Sequence, residues 1–539
     1  MSLAPLRFAV ILLSVWLVLA TVTLLPGVFR VTGHEMDLIQ MLDVIYRMQA
    51  GDLLHHQIMT PLGLLAFLPI KAGMDLGYGP GRSYLLAQAG VAALLLPAIW
   101  YLCLSRFEGV WRLAVGVALL VITMALVYGG PQPSILASMY YNRWAWVLTA
   151  LIVFLLFLPA RPGWRADGID GVLIGLAGAA LILIKMTYVV ALVPFVLMVI
   201  LQERRGRLFL GALLGAGVVL GAVSAGMGLD FWRAYLLDLL QVSASALRRY
   251  PGEEFSGLVS SPAALPQTLL LLGSIVVWRK AGMMRAGLYL LLLGPGLLYI
   301  TYQNWGNDPK WLGILGVLLL CLRPEQGARP VWGVPARQLT AVMGGAALLL
   351  FAPSAINMAT SPVRHMSQTA EEFSPIFSDL AKADAQVLTS VAYLPRANVT
   401  LDGFEIPAAL RGEDYEPEAP VMFLGEALPE CSVRLGLVGW IRQITAQLGA
   451  VEEAVGKPVL SADIHDMLWL FGPFERLPEM APWYYGTDDG FEAADYVMVP
   501  FCPLNTPSRA RKLEVIEDLG WQLEEVIRTD LFILARRTG

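Results

Sequence analysis

Two carboxylates and three of the chain's five histidines fall within about two dozen residues, in His34-Glu35-Met36-Asp37 and His55-His56-Gln57. A carboxylate can take a proton from a hydroxyl, and an imidazole can relay a proton or meet an anion. Capping explains part of the same cluster, because acids near a helix N-terminus are favoured by the helix dipole. Spacing alone leaves both readings open for His34, Glu35 and Asp37. Adjacent histidines point in different directions on a helix or strand. His55-His56 is therefore poor metal-ligand spacing, and contact with lipid phosphates is its other reading. Three cations sit in apolar surroundings: Lys185 in Ile184-Lys185-Met186, Arg143 in Tyr140-Tyr141-Asn142-Arg143-Trp144, and Lys310 after Asn307-Asp308-Pro309. A lysine in so apolar a stretch is costly unless it snorkels or is paired, which makes Lys185 a candidate for anion binding. A snorkelling turn residue, an interfacial anchor and a local pair with Asp308 are the bland readings of Lys185, Arg143 and Lys310. Arg248 and Arg249 read as a solvated or headgroup-facing surface.

The elements that must carry these residues are set by composition. The 539 residues are 57% hydrophobic and only 15% charged, with mean hydropathy +0.62. Ordinary soluble proteins carry about a quarter charged residues. Between residues 8 and 353 the apolar residues come in repeated runs long enough for membrane helices. From 354 to 539 charge is mixed and apolar runs are short. The sequence thus predicts a polytopic α-helical membrane domain, 1–353, and a C-terminal α/β domain, 354–539, on the outer side. The net charge of −5 argues against nucleic acid as a partner.

Spans are expected at 8–26, 83–104, 110–128, 143–159, 170–184, 188–202, 207–227, 266–279, 285–301, 310–322 and 338–353. Residues 8–26 lack a clear cleavage site and read as a retained helix rather than a signal peptide. The segment 61–76 contains Pro61, Pro69, Lys71 and Asp75 and is the ambiguous one. If it does not span, the inner loops hold Arg106, Arg112, Arg161, Arg165, Arg204, Arg205, Arg207, Arg279, Lys280, Arg285, Arg323, Arg329 and Arg337. That is the usual positive-inside bias, and it inverts if 61–76 spans. Segment 61–76 is therefore read as a half-inserted or surface helix. The loop 27–82, the loop 228–265 and the C-terminal domain then all lie outside. Residues 36–48 space Leu38, Ile39, Met41, Leu42 and Ile45 helically, with Asp37, Gln40, Asp43 and Arg47 largely on other faces. This predicts an amphipathic helix in the membrane interface, ended by Gly51.

The pattern of Asp37, then Gly51, His55-x-Gln57 and Thr60-Pro61-Leu62-Gly63 resembles the first outer loop of GT-C glycosyltransferases. These multispanning enzymes use polyprenyl-phosphate sugars; protein O-mannosyltransferases and aminoarabinose transferases are examples. The local resemblance covers about 30 residues. Leu54 stands where proline is common, Gln57 where a second acid is common, and Glu35 precedes Asp37 by two residues rather than adjoining it. The resemblance implies inverting transfer of a sugar from a polyprenyl-phosphate donor to an acceptor at the outer face of a bacterial inner membrane. It implies Asp37 as the base, with Glu35 second. His55, His56 and Gln57 would contact substrate, and Lys185, Arg143 and Lys310 would meet the phosphate. The acceptor is undefined, and no cofactor is assigned, with a divalent cation as an open option. Two other classes remain open: a lipid-linked saccharide flippase, which the scarcity of mid-span charges disfavours, and a silent scaffold of envelope assembly.

In the C-terminal part, 387–391, 421–424, 496–500 and 531–535 read as strands, and 433–453 and 508–519 as helices. No nucleotide-binding glycine motif is present. Asp463-Ile464-His465-Asp466 and Met480-Ala481-Pro482-Trp483-Tyr484-Tyr485 read first as turn and packing residues, with sugar binding as the functional alternative. Cys431 and Cys502 can pair if this domain is extracytoplasmic.

Overall fold

The computed structural model describes residues 5–164, 167–248, 254–260, 263–304, 309–377, 387–391, 421–428 and 437–539. It is a mostly helical, multi-pass architecture with small sheets at its C-terminal end. Helices occupy all eleven expected span positions. These are α1 (Pro5–Leu24), α4 (Pro80–Arg106), α5 (Gly109–Met124), α6 (Tyr140–Phe157), α7 (Asp167–Ile184), α8 (Met186–Glu203), α9 (Gly206–Met227), α12 (Ala264–Lys280), α13 (Met284–Tyr302), α14 (Lys310–Cys321) and α15 (Ala336–Met366). Eight are long and apolar enough to cross a membrane; α5, α12 and α14 are shorter. Helix α15 runs well past residue 353. Segment 61–76 holds a single 3-10 turn and the eight-residue α3 (Leu68–Asp75). At 1.5 Å per residue α3 is about 12 Å long, too short to cross a hydrocarbon core of about 30 Å. The long connection between α9 and α12 carries α10 (Asp230–Ala244) and the short α11 (Phe255–Ser260).

Helix α6 is buried along nearly its whole length and forms the axis of the bundle. Helices α7 and α9 meet through glycines: Gly171 and Gly175 lie on the backbone of Leu208 and Ala212, and Gly211 and Gly215 on that of Gly168 and Val172. Close backbone approach at small residues is how helices associate where lipid supplies no hydrophobic drive. At the end of α4 and the start of α7, Arg106, Asp170, Tyr101, Arg205 and Asp167 form a paired charge network, so the buried Asp170 is not left alone.

After α1, β1 (Phe29–Val31) leads into α2 (Glu35–Gln49). Strand β1 pairs in parallel with β3 (Val387–Ser390), which also pairs with β2 (Phe373–Pro375). The loop after α1 therefore contributes a strand to the C-terminal region. A second sheet orders β6 (Val459–Ser461), β7 (Tyr496–Pro500), β9 (Phe532–Arg537) and β8 (Leu523–Arg528). Helix α16 (Leu437–Gly449), the short α17 (Leu468–Phe471) and α18 (Thr506–Asp518) accompany it, and a two-residue hairpin pairs β4 (Met422–Phe423) with β5 (Glu426–Ala427). Cys502 is disulfide-bonded, whereas Cys103 and Cys321 are free. Cys431, Arg249 and Asp308 lie outside the described residues.

Helix α2 differs from its expected setting. Its apolar face is buried within the protein, and Asp43 and Arg47 are buried too. The C-terminal region folds over them: Trp469 Nε1 donates to Asp43 Oδ1 at 2.8 Å, and Arg47 donates to the Leu477 carbonyl. The polar face thus meets protein rather than water. A helix sequence alone does not distinguish the two, because either environment satisfies polar groups.

Candidate functional site

Two segments meet at Asp37. The first is the start of α2, where His34 adopts a left-handed conformation (φ 56°) as the residue preceding the helix, with no side-chain cap. The second is the loop 125–139. Its Ser138 hydroxyl donates to Asp37 Oδ2, and Met139 beside it is again left-handed (φ 55°). Non-glycine residues with positive φ are uncommon and gather where geometry is over-determined. Here they aim both partners of one hydrogen bond. Burial pushes the Asp37 carboxyl above its ordinary value, and the Ser138 hydroxyl and the charge of His34 oppose this only in part. A desolvated carboxyl raised in this way is tuned for proton transfer nearer neutral pH.

Tyr141 is the second residue of α6. Asp37 and Arg248 both act electrostatically on its hydroxyl. The Lys185 ammonium lies over its ring, 5.8 Å from the centroid. Lys185 occupies the break between α7 and α8 in extended backbone (φ −160°, ψ 113°) and donates to Asn304 Oδ1 at 2.6 Å. Arg248, in the loop after α10, hydrogen-bonds Tyr485 of the C-terminal region.

The remaining predicted residues fall elsewhere around this centre. Glu35 accepts from Thr389 Oγ1 at 2.8 Å and tethers α2 to β3. His55 is buried, with its Nδ1 2.7 Å from Asp238 Oδ2 and its ring stacked on Tyr235. Burial lowers its basicity, and Asp238 opposes that shift. Asp238 also accepts from the Thr60 backbone, so His55 and Thr60-Pro61 dock together on α10. His56 is exposed, and Gln57 Oε1 closes a local turn by accepting from Leu53 N. Gly63 lies directly on the end of α7, where a Cβ would overlap the Leu183 carbonyl. Its own N–H bonds the Ile184 carbonyl, beside Lys185.

Arg143 and Lys310 are both buried against the loop 125–139. Arg143 donates to the Val127 carbonyl, and Lys310 to the Tyr128 carbonyl at 3.4 Å. Asn357 and Arg364, on the extension of α15, hold the Gly130, Gln132 and Pro133 carbonyls. These groups fix the loop that presents Ser138. Sequence reasoning passed over Ser138, Asn304 and Asp238, and Arg248 was read as surface. Asp238 alone left a signal, as an acid inside the apolar run Tyr235-Leu-Leu-Asp238-Leu-Leu. In the C-terminal region Asp463, Asp466 and His465 are buried and satisfied by backbone groups, Lys512 and the Pro482 carbonyl. Among the described residues no three His, Cys, Asp or Glu side chains gather as metal ligands.

No family model matches the chain, and no curated protein matches it. Among solved structures the chain is similar to the crystal structure of ArnT from Cupriavidus metallidurans in the apo state, with 12% identity and a TM-score of 0.37, over 98% of this chain and 97% of that one. A likeness this distant transfers no residue roles.

Proposed function

We propose that the chain is a GT-C-type membrane glycosyltransferase that moves a sugar from a polyprenyl-phosphate carrier to an acceptor hydroxyl at the outer face of a bacterial inner membrane. What supports this reading is the buried Asp37 carboxyl held by Ser138, together with the Lys185 ammonium over the Tyr141 ring, a tyrosine that has both Asp37 and Arg248 in its electrostatic surroundings. The acceptor oxygen bonds the anomeric carbon as the bond from that carbon to the phosphate oxygen breaks. Asp37 takes the hydroxyl proton. The leaving electron pair stays on polyprenyl phosphate, whose added charge faces Lys185 and Arg248. Attack opposite the leaving group inverts the anomeric centre. Arg143 and Lys310 act through the loop they hold, and His55 fixes the first loop on α10.

The test is Asp37→Asn. Membranes holding equal amounts of folded wild-type or variant chain are incubated with radiolabelled polyprenyl-phosphate sugars, and label leaving the lipid carrier is counted. General-base loss predicts a fall of about 10²–10⁴-fold. Equal rates overturn the assignment of the base. Label that crosses liposome membranes while still lipid-linked favours a flippase instead.

A further inference from the structure

Both ends of the helix that bears Asp37 are held by the C-terminal region. At its start, β1 pairs with β3 through Phe29–Val387, Arg30–Leu388 and Val31–Thr389, and Glu35 accepts from Thr389. At its end, Trp469 donates to Asp43 at 2.8 Å while Arg47 lies against the Trp469 ring and reaches the Leu477 carbonyl. Just beyond the helix, Arg476 pairs with Asp52 at 2.9 Å. Asp43 and Arg47 are buried, so these bonds compete little with water. Trp469 lies in α17, and Arg476 and Leu477 follow shortly after it, so one short segment grips the helix end. The membrane helices alone supply no equivalent partner for Asp43: its other described partner is Arg47 on the same helix.

We infer that Trp469 and Arg476 are positioning residues, and that the C-terminal region sets the reach of Asp37 by clamping α2 at both ends. This rests on Asp37 being the base. A reacting group displaced by about 1 Å can lose about 10²-fold in rate, so the clamp bears on the chemical step rather than on donor binding, which falls to Lys185 and Arg248.

The experiment uses the full-length chain in proteoliposomes. Trp469→Phe removes the indole donor and keeps an aromatic ring; Asp52→Arg and Arg476→Asp each break the outer pair, and their combination restores it in reverse. Each single change is expected to lower kcat about tenfold or more with KM for the lipid-linked donor unchanged, and the double exchange to recover kcat to within about twofold. A second readout separates positioning from general loss of structure. Asp37 is faced by Ser138, His34 and the Tyr141 hydroxyl, with Arg248 beyond it. Slackening α2 changes both the burial of Asp37 and its Ser138 bond and so shifts the acid limb of kcat, whereas a smaller folded fraction scales the whole profile without moving it. Hydrogen exchange over residues 37–45 is followed in the same variants and needs no activity. Faster exchange in the single variants and recovery in the double exchange support the clamp. Unchanged exchange, a changed KM alone, or no recovery in the double exchange overturns it. If exchange behaves as expected while Asp37→Asn keeps the wild-type rate, the base has been misassigned and the clamp stands.

Discussion

The Ser138 hydroxyl donates to Asp37 Oδ2 and so joins the loop before α6 to the start of α2. No acid occurs anywhere between residues 125 and 139. A neutral hydroxyl leaves the Asp37 charge intact, whereas a second carboxylate there would raise its pKa further by like-charge repulsion. A chain of neutral and cationic groups surrounds Asp37, and that arrangement has measurable consequences.

The first concerns pH. Burial raises Asp37, and Ser138 lowers it in part. A base acts when ionised, so the rate should climb as pH rises through a value above the ordinary carboxylate range. Ser138→Ala removes a lowering influence and should move this acid limb to higher pH, read from a kcat–pH profile. Stability follows the opposite sense. A carboxyl raised in the fold favours the folded state only at pH low enough to keep it protonated, and that contribution is lost as pH rises through its folded pKa. Asp37→Asn should therefore melt no lower than wild type at pH 7 while losing activity. A lower melting temperature would show that the ionised carboxylate is structural.

Lys185 faces Tyr141 from the break between two helices and is held by Asn304. Removing a preorganised charge from a developing anion costs about 10²–10³-fold. Lys185→Gln should lower kcat/KM for the lipid-linked donor by that order, with a smaller loss for Lys185→Arg. Steady-state kinetics with a graded donor supply decides it, and an unchanged kcat/KM would remove Lys185 from the site.

Gly63 has no room for a side chain, because the neighbour a Cβ would strike is the backbone of Leu183, which cannot swing aside. Gly63→Ala should push Thr60-Pro61 off the end of α7 and cost about 1–3 kcal/mol, read as a fall in Tm in detergent. Gly90, in α4, has open space where a Cβ would go, with nothing within 4 Å. Gly90→Ala should leave Tm unchanged or slightly higher. Equal effects at the two positions would contradict the packing of the first loop on α7.

Much of the fold was legible because the membrane imposes a strict length and polarity rule on each span. The eleven apolar runs predicted eleven helices, and positive charge in alternate loops separated the short 61–76 from the true spans. Asp37 and Lys185 also stood out, since polar groups next to apolar runs are costly. Ser138 and Asn304 left no such trace. They are ordinary loop and helix-end residues whose roles come from what lies across from them, more than a hundred residues away in the chain.

Arg143 and Lys310 show the boundary from the other side. Their sequence settings are as apolar as that of Lys185, yet both donate to carbonyls of the loop 125–139, and Arg143 also reaches the Tyr84 hydroxyl, while Lys185 stands over Tyr141. By itself the sequence determined the class of chain and the helix positions, because hydropathy and charge are local properties. Only the tertiary structure decided that Ser138 meets Asp37, that Asp43 and Arg47 of α2 are covered by Trp469 and Leu477, and that β1 belongs to a sheet with β3. Those outcomes depend on non-local pairing of backbone and polar groups, and no window of sequence contains both partners.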